Sequence, residues 1–150
     1  MVDAAMHVHS ELGPGLTEKP YVYCLRAELE ARGLTVLREV TVPITWRDVA
    51  LAERLRVDLV AEGVPIEVKT VERLTELHEA QLRNYLRFLD REVGILLNFD
   101  VVHMRHGIVR VPNLRAHRSP RGPAVSVPQE RPSPSYSLGG GQRRAAPSDL

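Results

Sequence analysis

The order of helical and extended segments predicts an α/β fold of the α+β kind, a mixed sheet with helices packed against it. Three observations carry that expectation. The chain opens with two helical stretches separated by Gly13-Pro14-Gly15. Residues 39–70 then read as strands joined by short turns. A further helical stretch leads into the near-continuous apolar run Val93–Asn98, which is typical of a buried strand.

Each element has a local cause. Residues from about Val2 to Leu12 form the first helix, broken by the Gly-Pro-Gly punctuation. Thr17 is placed to cap a second helix running toward Gly33, a good residue just past a helix end. Pro20 falls in its first turn, where a missing N–H costs little. Val22, Leu25 and Leu29 supply its apolar stripe. Strands are expected at about Glu39–Trp46, Val49–Arg54, Leu55–Ala61 and Val64–Thr70, with Arg47-Asp48 and Glu62-Gly63 as turns. Thr75 begins a third helix extending to about Asp90, with Leu82, Leu86 and Leu89 inward. Ile108–Val111 reads as a last short strand.

The hairpin around Glu62-Gly63 holds the candidate chemistry. A two-residue turn there pairs residues whose numbers sum to 125, which sets Asp58 across from Glu67 with Lys69 on the same face. Val57, Leu59, Ile66 and Val68 alternate with Arg56, Asp58, Glu67 and Lys69, so one face is expected apolar and the other charged. Opposed like charges destabilise a strand pair and call for a compensating cation. Two hard carboxylates suit Mg²⁺, with Mn²⁺ as a substitute. On alternation alone the charged face reads as an ordinary solvated surface, with Lys69 neutralising the acids. Gln81 and Tyr85 at i, i+4 on the third helix, and Glu18 and Tyr21 at i, i+3 on the second, add polar groups near the same core edge.

Composition bounds the rest. At 150 residues and 43% hydrophobic, the chain supports one core. Residues 1–114 form the expected folded domain and 115–150 a disordered tail. That tail holds six Pro, four Gly, six Ser and six Arg against two acids, leaving 14 Lys/Arg against 17 Asp/Glu in the body. The single Cys24 excludes an internal disulfide and fits a reducing cytoplasm. No run is long and apolar enough for a membrane span, and no signal-peptide pattern opens the chain.

The stretch H-S-E-L-G-P-G-L-T-E-K-P-Y resembles the signature of the bacterial GxxExxY proteins, with Gly15, Glu18 and Tyr21 at the naming positions. The likeness continues through L-R-A-E-L-E-A-R-G-L, R-V-D-L-V, I-E-V-K, L-T-E-L-H-E-A-Q-L-R-N-Y-L and G-I-L-L-N-F, covering about residues 5–113. That family is similar to the PD-(D/E)XK nuclease superfamily. The resemblance implies a restriction-endonuclease-like αβββαβ core and Mg²⁺-dependent hydrolysis of phosphodiesters in DNA or RNA. It makes Asp58 the first acid and Glu67-Val68-Lys69 the (D/E)-x-K motif, with the Val68 carbonyl as an added metal ligand. Gln81 and Tyr85 match the Q-x-x-x-Y of the following helix, and Glu18 the acid of the first core helix. Val57 stands where proline precedes the first acid, and Lys19-Pro20 and Tyr23-Cys24 depart from the usual pattern around Glu18.

Within that frame Lys69 would orient the attacking water or offset transition-state charge. Glu18 would hold a water, while Gln81 and Tyr85 position the phosphate or buttress Lys69. Arg56, Arg83 and Arg87 are candidates for backbone contacts, although such residues usually serve as solvated charges. His7 and His9 read as surface histidines, His78 as a helix residue bordering the site, and His103 and His106 as turn residues without a zinc-ligand partner. Cys24 reads as a packed small residue and Trp46 as a partner-facing residue or hairpin lid. The tail's basic character attracts nucleic acid only loosely.

Two function classes follow: a metal-dependent nuclease acting on nucleic acid, DNA first, or a non-catalytic nucleic-acid-binding or partner module on the same fold. A scaffold whose hairpin acids pair with Arg56 and Lys69 is a third. The intact Asp58, Glu67 and Lys69 set favours the first. The acidic body favours the second, or an enzyme that takes its substrate grip from a homodimer or protein partner.

Overall fold

A computed structural model describes residues 1–114; the expected tail, 115–150, lies outside them. The elements are α1 (Val2–Leu12), α2 (Glu18–Ala31), β1 (Val36–Trp46), β2 (Val49–Ala61), β3 (Val64–Lys69), α3 (Glu76–Leu89), β4 (Val93–Asn98) and β5 (Ile108–Pro112), with a 3₁₀ turn at Met104–His106. The five strands lie in sequence order in one sheet. β3 and β4 are parallel and every other neighbouring pair is antiparallel. α3 supplies the crossover that a parallel pair requires. The mixed sheet with flanking helices is the expected architecture.

The sheet divides two cores. α1 and α2 cover one face with Ala4, Val8, Tyr21, Leu25 and Leu29 against Leu59, Ile66, Val68, Ile95 and Leu97. α3 covers the other with Leu82, Tyr85, Leu86 and Leu89 against Val40, Val42, Val57, Val60 and Leu96. Alternation along β4 feeds both cores, so that strand is apolar throughout. α3 begins where expected: the His78 ring Nδ1 accepts a hydrogen bond from the Thr75 N–H at 3.1 Å. His78 therefore serves as a helix cap.

Both hairpin turns have two residues. Arg47-Asp48 (φ +48° and +64°) and Glu62-Gly63 (φ +47° and +78°) adopt positive φ at both positions, the geometry that matches strand twist. The second turn sets Ala61↔Val64, Val60↔Pro65 and Leu59↔Ile66, the expected register.

Several expectations are corrected. β2 is one strand of 13 residues, not two segments meeting at Leu55, and β1 starts at Val36. β1 and β2 thus form a long hairpin whose outer part, residues 45–54, is exposed on both strands. Val57 and Leu59 do not share a face, since Val57 packs under α3 and Leu59 under α1 and α2. The alternation slips at Asp58, level with Glu39, which adopts φ +52°. His9 is a core residue, 8% exposed, with its ring Nε2 2.8 Å from the Val101 carbonyl. Cys24 is exposed rather than packed.

Gly107 marks a close approach. A Cβ there would lie 2.1 Å from the Asn98 carbonyl oxygen, a backbone atom that cannot swing away because Asn98 N–H donates to the Gly107 carbonyl at 2.8 Å. Gly107→Ala is expected to destabilise the fold by about 1–3 kcal/mol, read from urea unfolding, and to leave the unfolding m-value unchanged.

Candidate active site

The β2–β3 ladder runs from the turn to Leu59↔Ile66, and no pairing of Asp58 with Glu67 continues it. Instead the Asp58 carboxylate reaches the Val68 N–H with Oδ2 at 2.8 Å. A side chain thus takes over where the backbone partner is lost, as a buried N–H demands. β3 remains tied to β4 through Lys69↔Asn98.

Glu67 is 3% exposed. Its Oε1 accepts from Lys69 Nζ at 2.7 Å, while Oε2 is buried without a hydrogen-bond partner. Leaving such an oxygen unpaired costs about 1–3 kcal/mol. Burial first, then the Asp58 charge, pushes the Glu67 carboxyl up to about 7 against the opposing pull of Lys69. Burial also raises Asp58, opposed by the Val68 N–H and Lys69. Burial pulls Lys69 down, but its bond to Glu67 and the charges of Glu67, Glu18 and Asp58 outweigh that and raise it. The cluster holds more negative charge than its one lysine neutralises.

The helices bring the remaining expected residues. Glu18, the first residue of α2, lines a cleft of about 260 Å³ with Asp58, Lys19, Arg38, Glu39 and Arg56. Its charge acts on Asp58, Glu67 and Lys69. Tyr21, fully buried, fixes the approach to that helix. Its hydroxyl donates to the Gly13 carbonyl at 2.6 Å and accepts from the Leu16 N–H at 3.2 Å, and its ring stacks on Phe99 at 4.4 Å. From α3, Gln81 Nε2 donates to the Tyr85 hydroxyl at 2.6 Å. Burial and then the Glu67 charge push that phenol up to about 12, so Tyr85 stays a neutral group beside the acids.

Six expected residues therefore converge: Glu18, Asp58, Glu67, Lys69 and Tyr85 directly, and Gln81 through Tyr85. Arg56 lines the cleft with Glu18 and Asp58, paired loosely with Glu39 at 3.7 Å. Arg83 and Arg87 do not. They line a separate groove with Asn84, Asn113 and Leu114, Arg83 paired to Glu79 and Arg87 over the Phe88 ring.

Sequence reasoning missed three contributors. Lys19 and Arg38 enter the cleft, Arg38 held by the Tyr23 hydroxyl at 3.0 Å. Asn98, 1% exposed, clamps the chain after β3: its Oδ1 accepts from Val71 N–H at 3.1 Å and Nδ2 donates to the Val71 carbonyl at 2.6 Å. A polar residue ending the apolar run of β4 was the available signal.

Among the described residues no three His, Cys, Asp or Glu side chains converge as a ready metal-ligand set. Asp58 and Glu67 nonetheless suit a hard divalent cation that keeps most of its water. Glu67 offers a buried, unpartnered oxygen, and both carboxyls are raised in a way a cation would reverse.

The sheet thus opens between two acid-bearing strands, with Glu67-Val68-Lys69 on the second. A family model described as the PD-(D/E)XK nuclease superfamily matches residues 1–111, and the chain belongs to that superfamily. No curated protein and no solved structure matches it.

Two measurements check these energetics. The Glu67 carboxyl is raised from 4.5 to about 7 on folding, so the folded chain binds more protons between those limits. Its favourable contribution is complete below pH 4.5 and lost as pH rises through about 7. In EDTA, Glu67→Gln is expected to raise the melting temperature by several degrees near pH ~8 and to change it little near pH ~4.5. Tyr21→Phe, which strands the Gly13 carbonyl and Leu16 N–H, is expected to cost about 1–2 kcal/mol in urea unfolding.

Proposed function

We propose that this protein is a divalent-metal-dependent nuclease of the GxxExxY kind, using Mg²⁺, or Mn²⁺ in its place, to hydrolyse phosphodiester bonds in DNA. The observation that carries the reading is the buried Glu67 carboxylate. One of its oxygens is held by Lys69 and the other is buried without a partner, with the Asp58 charge acting on it. A charge so placed is costly unless it serves a ligand.

Asp58 and Glu67, with the Val68 carbonyl, would hold the metal. Once bound it supplies Lewis-acid polarisation of the scissile phosphate and activates water for attack. The chain's own groups do the rest. Lys69, kept charged by the acids around it, offsets charge developing on the phosphate oxygens. Glu18 orients water on the α2 side of the cleft, and Tyr85, braced by Gln81, donates its phenolic proton as a hydrogen bond to phosphate. Arg56 receives the phosphate backbone beside the cut. Arg83 and Arg87 stand on another groove, where they serve a more distant stretch of the substrate or a protein partner.

The GxxExxY assignment rests on Gly15, Glu18 and Tyr21, which have physical tasks here: Tyr21 fixes the loop that delivers Glu18. The expected setting is the bacterial cytoplasm, which the single cysteine fits. Among the described residues no helix is long and apolar enough to cross a membrane. The acidic body fits an enzyme assisted by a second copy or a protein partner.

Labelled single- and double-stranded DNA and RNA, each with Mg²⁺, Mn²⁺ or EDTA, test the reading. Wild type is expected to cut DNA only with metal, and Asp58→Ala, Glu67→Ala and Lys69→Ala to lose at least about 100-fold in rate. The metal should also raise the wild-type melting temperature and not that of Asp58→Ala. Absence of cutting on all four substrates, or equal cutting by Asp58→Ala, overturns the nuclease reading. Binding without cutting returns the protein to the class of nucleic-acid-binding modules.

A further inference from the structure

The outer part of the β1–β2 hairpin has no task in the fold. Residues 45–54 are exposed on both strands and touch neither helical core. At the tip Trp46 and its cross-strand partner Val49 are 61% and 56% exposed, and the Arg47 guanidinium lies 4.7 Å above the indole. A two-stranded ribbon gains little by displaying a large aromatic ring to water.

The arm also has a charged side that leads to the acids. Leu55 and Val57 turn toward the α3 core, so Arg54 and Arg56 turn to the opposite face. Directly across the ladder they meet Pro43 and Thr41, which are uncharged, and the one acid paired to them is Glu39, 3.7 Å from Arg56. Arg56 enters the cleft beside Asp58, and its side chain is 71% exposed. Arg54 stands two residues further out, about 7 Å along the strand. An arginine pair thus runs from the cleft outward on one face, and an arginine-backed indole stands at the tip on the α3 side, with Val40 and Val42 by the same alternation, so a strand joining the two rounds the end of the ribbon.

We propose that this arm is a clasp for single-stranded nucleic acid: Arg54 and Arg56 carry the backbone toward Asp58, and a base stacks on Trp46. Cations that follow a backbone, combined with an exposed aromatic platform, are the chemistry that holds unpaired strands without regard to sequence. A duplex keeps its bases stacked on one another and offers that indole none. Val49 lies nine residues from Asp58 on β2, roughly 30 Å of strand, so occupying tip and cleft together takes at least about nine stacked nucleotides. The inference deepens the nuclease reading and rests on it for the path into the cleft, but binding at the arm is measurable without cleavage.

Trp46 is the one tryptophan of the chain, so its fluorescence reports on the arm alone. In the full-length Asp58→Asn protein, oligothymidylate or oligouridylate of about 16 nucleotides is expected to quench that emission, and added salt to reverse it. Duplex of equal length should quench far less. By anisotropy, Trp46→Ala is expected to weaken single-strand binding about tenfold, Trp46→Phe to recover much of the loss, and Arg54→Ala to flatten the salt dependence. Single-strand binding that leaves the indole silent overturns the clasp and spares the nuclease reading. An emission change that instead follows protein concentration, with dimers in sedimentation, assigns the arm to a second copy. Quenching by oligonucleotide without cleavage by wild type keeps the clasp and removes the nuclease reading.

Discussion

The hydrogen bond from the Val68 N–H to the Asp58 carboxylate is the interaction on which the site depends. In an uninterrupted antiparallel pair that N–H would meet a carbonyl of the neighbouring strand. Here the ladder stops at Leu59↔Ile66 and the carboxylate takes the proton instead. The strands part without leaving an unsatisfied donor, and Glu67 and Lys69 follow on β3 beyond the last residue paired to β2. One substitution of a side chain for a backbone acceptor thus converts the interior of a sheet into a place where charge can be concentrated. Stability is given up there, at Glu67 Oε2, as functional sites commonly require.

Everything around the opening holds its two sides in place. On one side Tyr21 locks the Gly13–Leu16 segment and, through it, the start of α2 with Glu18. On the other, α3 presses Leu82, Leu86 and Leu89 into the sheet and presents Tyr85 to the acids. At the far end of β3, Asn98 binds both backbone groups of Val71, so Lys69 departs from a strand end that cannot fray. Three elements remote in sequence converge because each is fastened by hydrogen bonds that the cores keep from water.

Much of this was legible in the sequence where a short-range rule fixed the geometry. Glu62-Gly63 demanded a two-residue turn, and a two-residue turn sets the register for the strands it joins. Helix ends followed from Thr75 and the Gly13-Pro14-Gly15 break. The phase slip at Asp58 was not legible, because it accompanies a positive φ at Glu39, a residue with no special claim to one. His9 misled because burial depended on the Val101 carbonyl, 92 residues away. Arg83 was readable after all: a residue two places from Gln81 and from Tyr85 stands about 200° away from each around a helix. Angular position was a better guide there than charge.

The acidic body of a protein that handles a polyanion is a matter of distance rather than of net charge. Fields from exposed charges fade within about 8–10 Å in salt, so a phosphate at the cleft responds to its immediate neighbours. Those are Lys19, Arg38 and Arg56 around the rim, with Lys69 between the acids. The acids themselves repel a phosphate, and a divalent cation bound there, as proposed, would reverse that and offset the penalty of holding Glu67 ionised in the core. Under the proposed reading metal and polyanion would depend on one another, the bare cluster rejecting a phosphate and the occupied cluster attracting it. Asp58, Glu67 and Lys69 are in this chain a charge balance left incomplete on the protein's side.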